Sequence, residues 1–152
     1  MADILTMVVD LGSTPSKCVI LRNGADTLSS AIAQAGAGTG GPARAVAEAL
    51  DKAGLTRPEI TAVTATGYGR NTFAGADFVV SELSCHAAGA HAVFPEARTV
   101  IDIGGQDAKV LRTGPSGTLE NFIMNDKCAA GTGRFLDVMA RVLELDVSEL
   151  AQ

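Results

Sequence analysis

Short apolar runs alternate along this chain with turns of small and polar residues. The first two runs, residues 7–9 and 18–21, are separated by residues 10–17, most of which are small or polar. Short apolar runs that end at turn residues are typical of buried β-strands. The beginning of the chain is therefore predicted to form a β-hairpin.

The first predicted helix follows a glycine-rich stretch, residues 36–41. Pro42 is suited to the first turn of a helix, because its missing N–H would have no partner there. Apolar residues then recur at helical spacing as far as Ala53, and Gly54 is suited to the left-handed conformation that ends a helix. Residues 38–41 resemble a phosphate-binding P-loop but lack its lysine, so we expect a flexible connection there.

The middle of the chain contains a further predicted strand and a further predicted helix. Residues 60–64 alternate and are rich in β-branched side chains, which predicts a strand, and residues 67–70 form the turn after it. Ser81 is suited to cap a helix over residues 82–93. The sequence therefore predicts a strand, a turn and a helix in this order.

An internal repeat is the most informative feature of the sequence. Residues 99–111 repeat the pattern of the first hairpin, with an apolar strand, an Asp-x-Gly turn and a lysine at the same distance. The matched residues, all separated by 92 positions, are Val9 and Ile101, Asp10 and Asp102, Gly12 and Gly104, and Lys17 and Lys109. Single Asp-x-Gly turns are common, but the joint match of strand, turn and lysine predicts two equivalent hairpins.

The two predicted turns are suited to hold the phosphates of a nucleotide. A tight turn exposes backbone N–H groups, and glycine allows a phosphate oxygen to approach them without a Cβ clash. An aspartate at the end of the strand can hold Mg²⁺ through water or orient an attacking water molecule. We therefore expect two hairpins that bind one polyphosphate from opposite sides.

A third region with candidate chemistry lies further along the chain. Residues 118–124 predict a strand, residues 125–133 a loop of small residues, and the apolar positions after them a helix. These apolar positions are Phe135, Val138, Met139, Val142 and Leu145. Cys128 would then lie at or near a helix N-terminus, where the dipole lowers the pKa of a thiol, although a buried structural cysteine is equally compatible with this position. Residues 131–133 could bind phosphate or a cluster through helix N–H groups.

Composition and charge argue against several classes of protein. Twelve Lys and Arg residues against 17 Asp and Glu residues give a net charge of −5, and the chain has no Trp and one Tyr. This balance argues against a surface that binds nucleic acid. The sequence shows no basic leader and no run of about 20 apolar residues, so we expect neither a signal peptide nor a membrane span.

The cysteines and histidines match no familiar framework. Cys18, Cys85 and Cys128 are odd in number and widely spaced, which favours a reducing cytoplasm over a disulfide framework. We expect Cys18 and Cys85 to be core residues rather than ligands. His86 and His91 lack the paired spacing of a zinc site, so we expect them to be solvated or in the core.

Five segments of the chain resemble one known family. The segments DLGSTPSK, TATGYGRN, SELSCHA, IDIGGQDAK and NDKCAAGTGRFLDVMA are similar to those of the ATPase activators of 2-hydroxyacyl-CoA dehydratases, also called component A or archerases. The ATPase subunits of benzoyl-CoA reductase are relatives of that family. The resemblance covers nearly the whole chain, and its last segment is highly specific.

The resemblance implies a fold and a division into domains. The fold is α/β and ribonuclease-H-like, as in the actin, hexokinase and acetate-kinase superfamily, with a mixed sheet and flanking helices. Residues 1–97 would form the first ATPase lobe. Residues 98–152 would begin a second, incomplete lobe that holds the second phosphate hairpin and the cluster-cysteine helix.

The resemblance also implies an activity and its partners. In the family a homodimer holds one [4Fe-4S] cluster between its subunits, and hydrolysis of ATP drives one low-potential electron into a partner dehydratase or reductase. The cofactors would be ATP, Mg²⁺ and the cluster, and a ferredoxin or flavodoxin would donate the electron. No nucleic-acid or membrane partner is implied, and the location would be cytoplasmic.

The matched motifs assign roles to individual residues by likeness. Asp10 would be associated with Mg²⁺, and Asp102 or Gln106 would position the hydrolytic water. Cys128 matches the first cluster cysteine, where the helix N-terminus would offset the negative charge of the cluster. The two phosphate loops would be lined by Gly12, Ser13, Thr14 and Lys17 and by Gly104 and Gly105, with Asp102 and Gln106 alongside.

The chain also departs from the pattern of the family. It is shorter, and the second cluster cysteine and the adenosine-contacting Gly-Gly motif have no counterpart here. We therefore expect an N-terminal fragment or a truncated gene product, whose second sheet has about three strands, an unpaired edge and an uncovered face. We expect it to dimerise or aggregate and to bind ATP weakly if at all. The alternative functions are a small-molecule kinase of the same superfamily without a cluster, and a non-catalytic regulatory subunit.

Overall fold

The computed structural model describes residues 2–125 and 132–151 of the chain. The chain divides into two compact units, with the division between Cys85 and His86. Each unit contains one β-sheet. The expected boundary between residues 97 and 98 stays a prediction.

The first unit contains a five-stranded mixed sheet. Strands β1 (Leu5–Leu11), β2 (Ser16–Arg22) and β3 (Asp26–Ala33) form an antiparallel meander. Strand β4 (Ala62–Thr66) is parallel to β1, and the short strand β5 (Phe78–Val79) is parallel to β4. The order across the sheet is β3-β2-β1-β4-β5. The predicted hairpin and the predicted strand at β4 are confirmed, whereas β3 and β5 were not predicted.

Helix α1 (Gly41–Ala53) covers one face of this sheet. It ends as predicted, since Gly54 adopts a left-handed conformation with φ of 65°. The helix packs small residues, Ala45 and Ala49, against the sheet, which allows a close approach of the two layers. The sheet residues buried in this core are Met7, Val9, Leu11, Cys18, Ile20, Ala31, Ala33, Val63 and Ala65.

Helix α2 (Glu82–Val93) begins and ends where the sequence predicts, and the division between the two units falls within it. Ser81 precedes the helix, and its hydroxyl accepts a long hydrogen bond of 3.5 Å from the N–H of Ser84. Short 3-10 turns are formed by Arg57–Glu59 and Arg70–Thr72. No helix in the described parts of the chain is long and apolar enough to span a membrane.

The second unit contains a three-stranded antiparallel sheet in the order β6-β7-β8. Its strands are β6 (Thr99–Ile103), β7 (Ala108–Thr113) and β8 (Leu119–Asn125), all at predicted positions. Helix α3 (Gly133–Val142) and a 3-10 turn (Val147–Ala151) follow. We expected α3 to extend to Leu145, but the helix ends earlier and Glu144 adopts a left-handed conformation with φ of 57°.

One face of the second sheet is exposed and apolar. Ile101, Val110 and Ile123 lie side by side on β6, β7 and β8, and Ile101 and Ile123 are 70% and 74% exposed. Among the residues that the structure describes, β6 pairs with β7 alone. These features agree with the expected uncovered face and unpaired edge.

Candidate functional site

The first candidate site is the end of β1, where Asp10 and Lys17 face each other. The two residues are directly opposite in the antiparallel register of β1 and β2, and opposite residues of such a pair lie on the same face. The Nζ atom of Lys17 donates a hydrogen bond of 2.8 Å to Oδ2 of Asp10. Both side chains are partly exposed, Lys17 by 43% and Asp10 by 27%. This ion pair is therefore accessible to a ligand.

Residues from β4 complete the surroundings of Asp10. Thr66 is aligned with Asp10 in the parallel register and is buried. Its hydroxyl has no hydrogen-bond partner within residues 2–125 and 132–151. A buried hydroxyl without a partner is destabilising, so this group is available to a bound water or ligand.

Gly67 is a site residue that sequence reasoning identified only as part of a turn. It has a φ of 86°, and a Cβ atom there would collide with Oδ1 of Asp10 and lie 2.8 Å from the carbonyl oxygen of Leu11. Only glycine combines this left-handed backbone with such a close approach. The next glycine of the turn, Gly69, donates its N–H to the same Leu11 carbonyl at 2.8 Å. The two glycines of the TATGYGRN motif therefore pack against the end of β1 that carries Asp10.

The first turn is held by the glycine-rich stretch of residues 36–41. The N–H of Ala37 donates a hydrogen bond of 2.8 Å to the carbonyl of Gly12, and Gly36 is packed against the carbonyl of Ser13. The beginning of this stretch therefore supports the turn, while the flexible connection expected at residues 38–41 stays a prediction. Ser13 and Thr14, predicted as phosphate-loop residues, are exposed at the tip.

The second candidate site is built around Asp102 and Lys109. They face each other in the register of β6 and β7, as Asp10 and Lys17 do in the first hairpin. Lys109 is buried, with 4% of its side chain exposed. Its Nζ atom lies 2.8 Å from Oδ2 of Asp107 and 3.4 Å from Oδ2 of Asp102. Two carboxylates therefore share one buried ammonium group.

His86 is a residue of this second site that sequence reasoning missed. We expected a solvated or core histidine, but its Nδ1 atom lies 2.8 Å from Oδ2 of Asp102. Helix α2 and strand β6 carry these two residues, and no sequence spacing links positions on different elements. The only signal was the position of His86 within the SELSCHA motif.

The turn between β6 and β7 is bound to the start of α3. The N–H of Gly104 donates to the carbonyl of Asp107 at 2.8 Å, which closes the turn. The N–H of Gly133 donates to the carbonyl of Gly104 at 2.8 Å, and the N–H of Arg134 donates to that of Gly105 at 3.1 Å. The N–H of Gly133 is therefore used within the chain, and Gly131 lies outside the described residues. The binding of phosphate or a cluster by residues 131–133 stays a prediction. Gly105 and Gln106 are exposed.

Two of the three cysteines lie among the described residues, and they differ in burial. Cys128, the expected cluster ligand, lies outside the described residues, as does Gly131. Cys18 is fully buried in β2, and desolvation by burial raises the pKa of its thiol to about 11. The expectation that Cys18 is a core residue is confirmed. Cys85 is half-buried on α2.

The donor groups at the first turn fit a nucleotide-bound magnesium ion. Among residues 2–125 and 132–151, no three His, Cys, Asp or Glu side chains lie close enough together to hold a metal ion by themselves. Magnesium that accompanies a nucleotide takes most of its ligands from phosphates and water, and one carboxylate is sufficient. Oxygen atoms of Asp10 and Thr66 are donors of the required kind.

Comparison with known proteins identifies the family. The model of the BadF/BadG/BcrA/BcrD ATPase family matches residues 9–152. The chain belongs to this family. It is 58% identical over 145 residues to the 2-hydroxyisocaproyl-CoA dehydratase activator of Clostridioides difficile, covering 95% of this chain and 54% of the relative. It is 53% identical over 150 residues to the (R)-2-hydroxyglutaryl-CoA dehydratase activating ATPase of Acidaminococcus fermentans, covering 98% of this chain and 57% of that relative. The family expected from the motifs is confirmed.

Two solved structures agree with the fold. The Clostridium difficile activator with bound ADPNP superposes with a TM-score of 0.92 at 57% identity, covering 97% of this chain and 55% of that one. The ethanolamine utilization protein EutJ from Carboxydothermus hydrogenoformans superposes with a TM-score of 0.63 at 16% identity, over 98% of this chain and 60% of that one. This second likeness concerns the fold alone. The expected mixed sheet with flanking helices is confirmed, and this ATPase-family chain spans just over half the length of the curated activators that it matches.

Proposed function

We propose that this chain forms the nucleotide-binding part of an ATP-dependent one-electron activator of a 2-hydroxyacyl-CoA dehydratase or of a benzoyl-CoA reductase-type enzyme. The activator would couple hydrolysis of ATP to transfer of a low-potential electron from a [4Fe-4S] cluster that bridges a homodimer. The names of the relatives support the activator role, and the ADPNP bound to one of them supports a nucleotide ligand.

The observation that carries this proposal is the pair of Asp–Lys hairpins. The aspartate ends a strand, the lysine faces it in the same antiparallel register, and a glycine-containing turn lies between them in both units. Such turns can present backbone N–H groups to phosphate oxygens, and the lysine adds positive charge. We propose that the two turns bind the phosphates of one ATP molecule from opposite sides.

Each hairpin has a separate role in this proposal. In the first, Asp10 would hold Mg²⁺ through water, while the backbone of Gly12, Ser13 and Thr14 and the ammonium group of Lys17 would contact phosphate. The second would contact the terminal phosphate through Gly104 and Gly105. Asp102 or Gln106 would orient the attacking water, since a carboxylate or an amide oxygen can accept its proton in a hydrogen bond.

Cys128 is the proposed ligand of the cluster in this chain. Four thiolates normally hold a [4Fe-4S] cluster, so a homodimer needs two cysteines from each subunit. The second family cysteine has no counterpart within these 152 residues. When bound, the cluster would supply the low-potential electron, and a ferredoxin or flavodoxin would be the donor that replenishes it.

An ATPase assay tests the hydrolytic part of the proposal. In the full-length protein, Asp102→Asn should lower kcat for ATP hydrolysis at least about 100-fold, the usual range for a group that activates the attacking water. Asp26→Asn is the matched control, because Asp26 is exposed at the beginning of β3, and it should retain the parental rate. Equal rates for Asp102→Asn and the parent would exclude a hydrolytic role for Asp102 and leave Gln106 as the residue that orients the water. A parent without ATPase activity would favour a regulatory subunit.

Anaerobic reconstitution tests the electron-transfer part. Iron and sulfide should be incorporated with a visible absorption band, and Cys128→Ser should weaken that incorporation while Cys18→Ala does not. A small-molecule kinase of the same superfamily would hydrolyse or transfer phosphate but stay colourless. The two assays therefore separate loss of the nucleotide site from loss of the cluster.

A further inference from the structure

The surroundings of the two aspartates differ in one respect that their sequences do not show. Lys17 lies 2.8 Å from Oδ2 of Asp10, whereas Lys109 lies 3.4 Å from Oδ2 of Asp102. The position within 2.8 Å of the Asp102 oxygen is occupied instead by Nδ1 of His86. A histidine has therefore taken the place that the lysine holds in the first hairpin.

The repeat explains why the lysine is displaced in the second hairpin. The residue that corresponds to Pro15, at the offset of 92 positions, is Asp107. Its carboxylate draws Nζ of Lys109 to 2.8 Å, while Pro15 offers no charge to Lys17. Because one ammonium group cannot lie equally close to both carboxylates, Asp102 needs a second partner to hold its orientation.

We propose that His86 is a positioning residue that orients the carboxylate of Asp102 for ATP hydrolysis, an inference that rests on the proposed ATPase function. Nδ1 of His86 is buried, and at 2.8 Å from a carboxylate oxygen it must carry the proton, because two opposed lone pairs would repel. The imidazole and Lys109 both lie against Oδ2. Their combined attraction turns Oδ1 towards an attacking water.

The geometry also indicates when this contact acts. The separation of Nδ1 and Oδ2 is short enough for a hydrogen bond, but the two groups are not aligned to form one. Catalytic contacts of this kind commonly align only when substrate is bound. A small rotation of the imidazole or of the carboxylate on nucleotide binding would complete the hydrogen bond and fix the direction of Oδ1.

Steady-state kinetics of three variants test this role in the full-length protein. His86→Leu removes the N–H and should lower kcat for ATP about 10- to 100-fold, the usual effect of removing a group that orients a reacting one. The KM for ATP should stay within about threefold, because phosphate binding uses other groups. His86→Asn places an amide N–H near the position of Nδ1 and should recover most of the loss. His91→Asn, the same substitution one turn further along α2, should behave like the parent.

The outcomes separate this proposal from the proposed function. A parent without ATPase activity would overturn both, whereas an active parent with an unaffected His86→Leu variant would overturn only the role of His86. Equal losses in His86→Leu and His86→Asn would also contradict it, since only the second restores a donor. If His86→Leu fails to fold, nitrogen NMR of the parent still tests the contact, because it reports which nitrogen of His86 carries the proton. In the parent we expect the His86 tautomer that is protonated at Nδ1. A change to the Nε2-protonated tautomer in Asp102→Asn would support the contact with Asp102. An Nε2-protonated His86 in the parent would exclude the contact.

Discussion

The two Asp–Lys hairpins have the same register but bury opposite faces. In the first, Leu11 is 2% exposed, while its counterpart Ile103 in the second is 62% exposed. The lysines show the reverse, since Lys17 is 43% exposed and Lys109 only 4%. Two segments with nearly the same pattern of apolar and polar residues therefore differ in which side of the sheet forms a core.

The cause of this difference lies in the elements that cover each hairpin. In the first unit α1 packs on the apolar face, and the Asp–Lys face stays accessible. In the second unit α2 brings His86 onto the charged face, and the apolar face is exposed within the described residues. The sequence of a hairpin thus specifies which residues share a face, while the elements that pack against the hairpin determine which face is buried.

The largest expected effect comes from truncating the apolar face in each unit. Leu11→Ala should lower the free energy of unfolding by about 3 kcal/mol, because it leaves a cavity in a packed core. Ile103→Ala, its counterpart at the repeat offset, should change it by less than about 0.5 kcal/mol, because the side chain is exposed. Urea unfolding followed by circular dichroism measures both. Equal losses would mean that the apolar face of the second sheet is covered in solution.

The next effect is expected from removing the lysines. Lys109→Met should lower the free energy of unfolding by about 2 kcal/mol, because it leaves Asp102 and Asp107 facing each other without the buried ammonium group. Lys17→Met should cost less than about 1 kcal/mol, since its ion pair is half exposed and water replaces it. The same unfolding measurement compares them, and a larger loss for Lys17→Met would contradict the difference in burial.

Adding a methyl group to the turn glycines should have a smaller effect. In Gly12→Ala the new Cβ would lie 2.6 Å from the backbone carbonyl of Pro15, which can move little, so we expect a loss of about 1.5 kcal/mol. In Gly104→Ala it would meet the side-chain oxygen of Asp107, which can rotate away, so about half that loss is expected. A greater loss for Gly104→Ala would show that the Asp107–Lys109 pair is more rigid than the backbone of the first turn.

The last expected effect appears only at alkaline pH and concerns the buried thiol of the first unit. Burial raises the pKa of Cys18 from its ordinary value of 9.0 to about 11, while its counterpart Val110 carries no titrating group. Between these two values the unfolded chain releases a proton that the folded chain retains, so the free energy of unfolding falls as pH rises. Below pH 9 the contribution is fully present. Cys18→Ala should show a shallower decline over this range in urea unfolding, and an unchanged slope would contradict the burial of the thiol.

The sequence predicted much of the fold because local patterns carry it. Most of β1, β2, α1, α2 and the second hairpin followed from apolar runs and from the turn and cap residues around them. The strand β3 was missed because its polar residues, such as Ser29 and Ser30, weaken the alternation that marks a strand. The two-residue strand β5 is too short to leave any pattern.

The candidate site was predicted where it lies on one hairpin and missed where elements meet. Asp10, Lys17, Asp102 and Lys109 were found because each pair repeats at one offset within a short segment. Gly67 and His86 reach the aspartates from β4 and α2, which are distant in the chain, so no spacing signals them. Asp107 was visible in the sequence, but only its distance to Lys109 shows that it competes with Asp102.

By itself, the sequence determined the two hairpins, their turns and the family, because these depend on residues that are neighbours along the chain. Only the tertiary structure decided which face of each sheet is buried, which of the two lysines is buried, and which histidine contacts an aspartate. These properties depend on elements brought together by folding, since desolvation and charge pairing act through space rather than along the backbone.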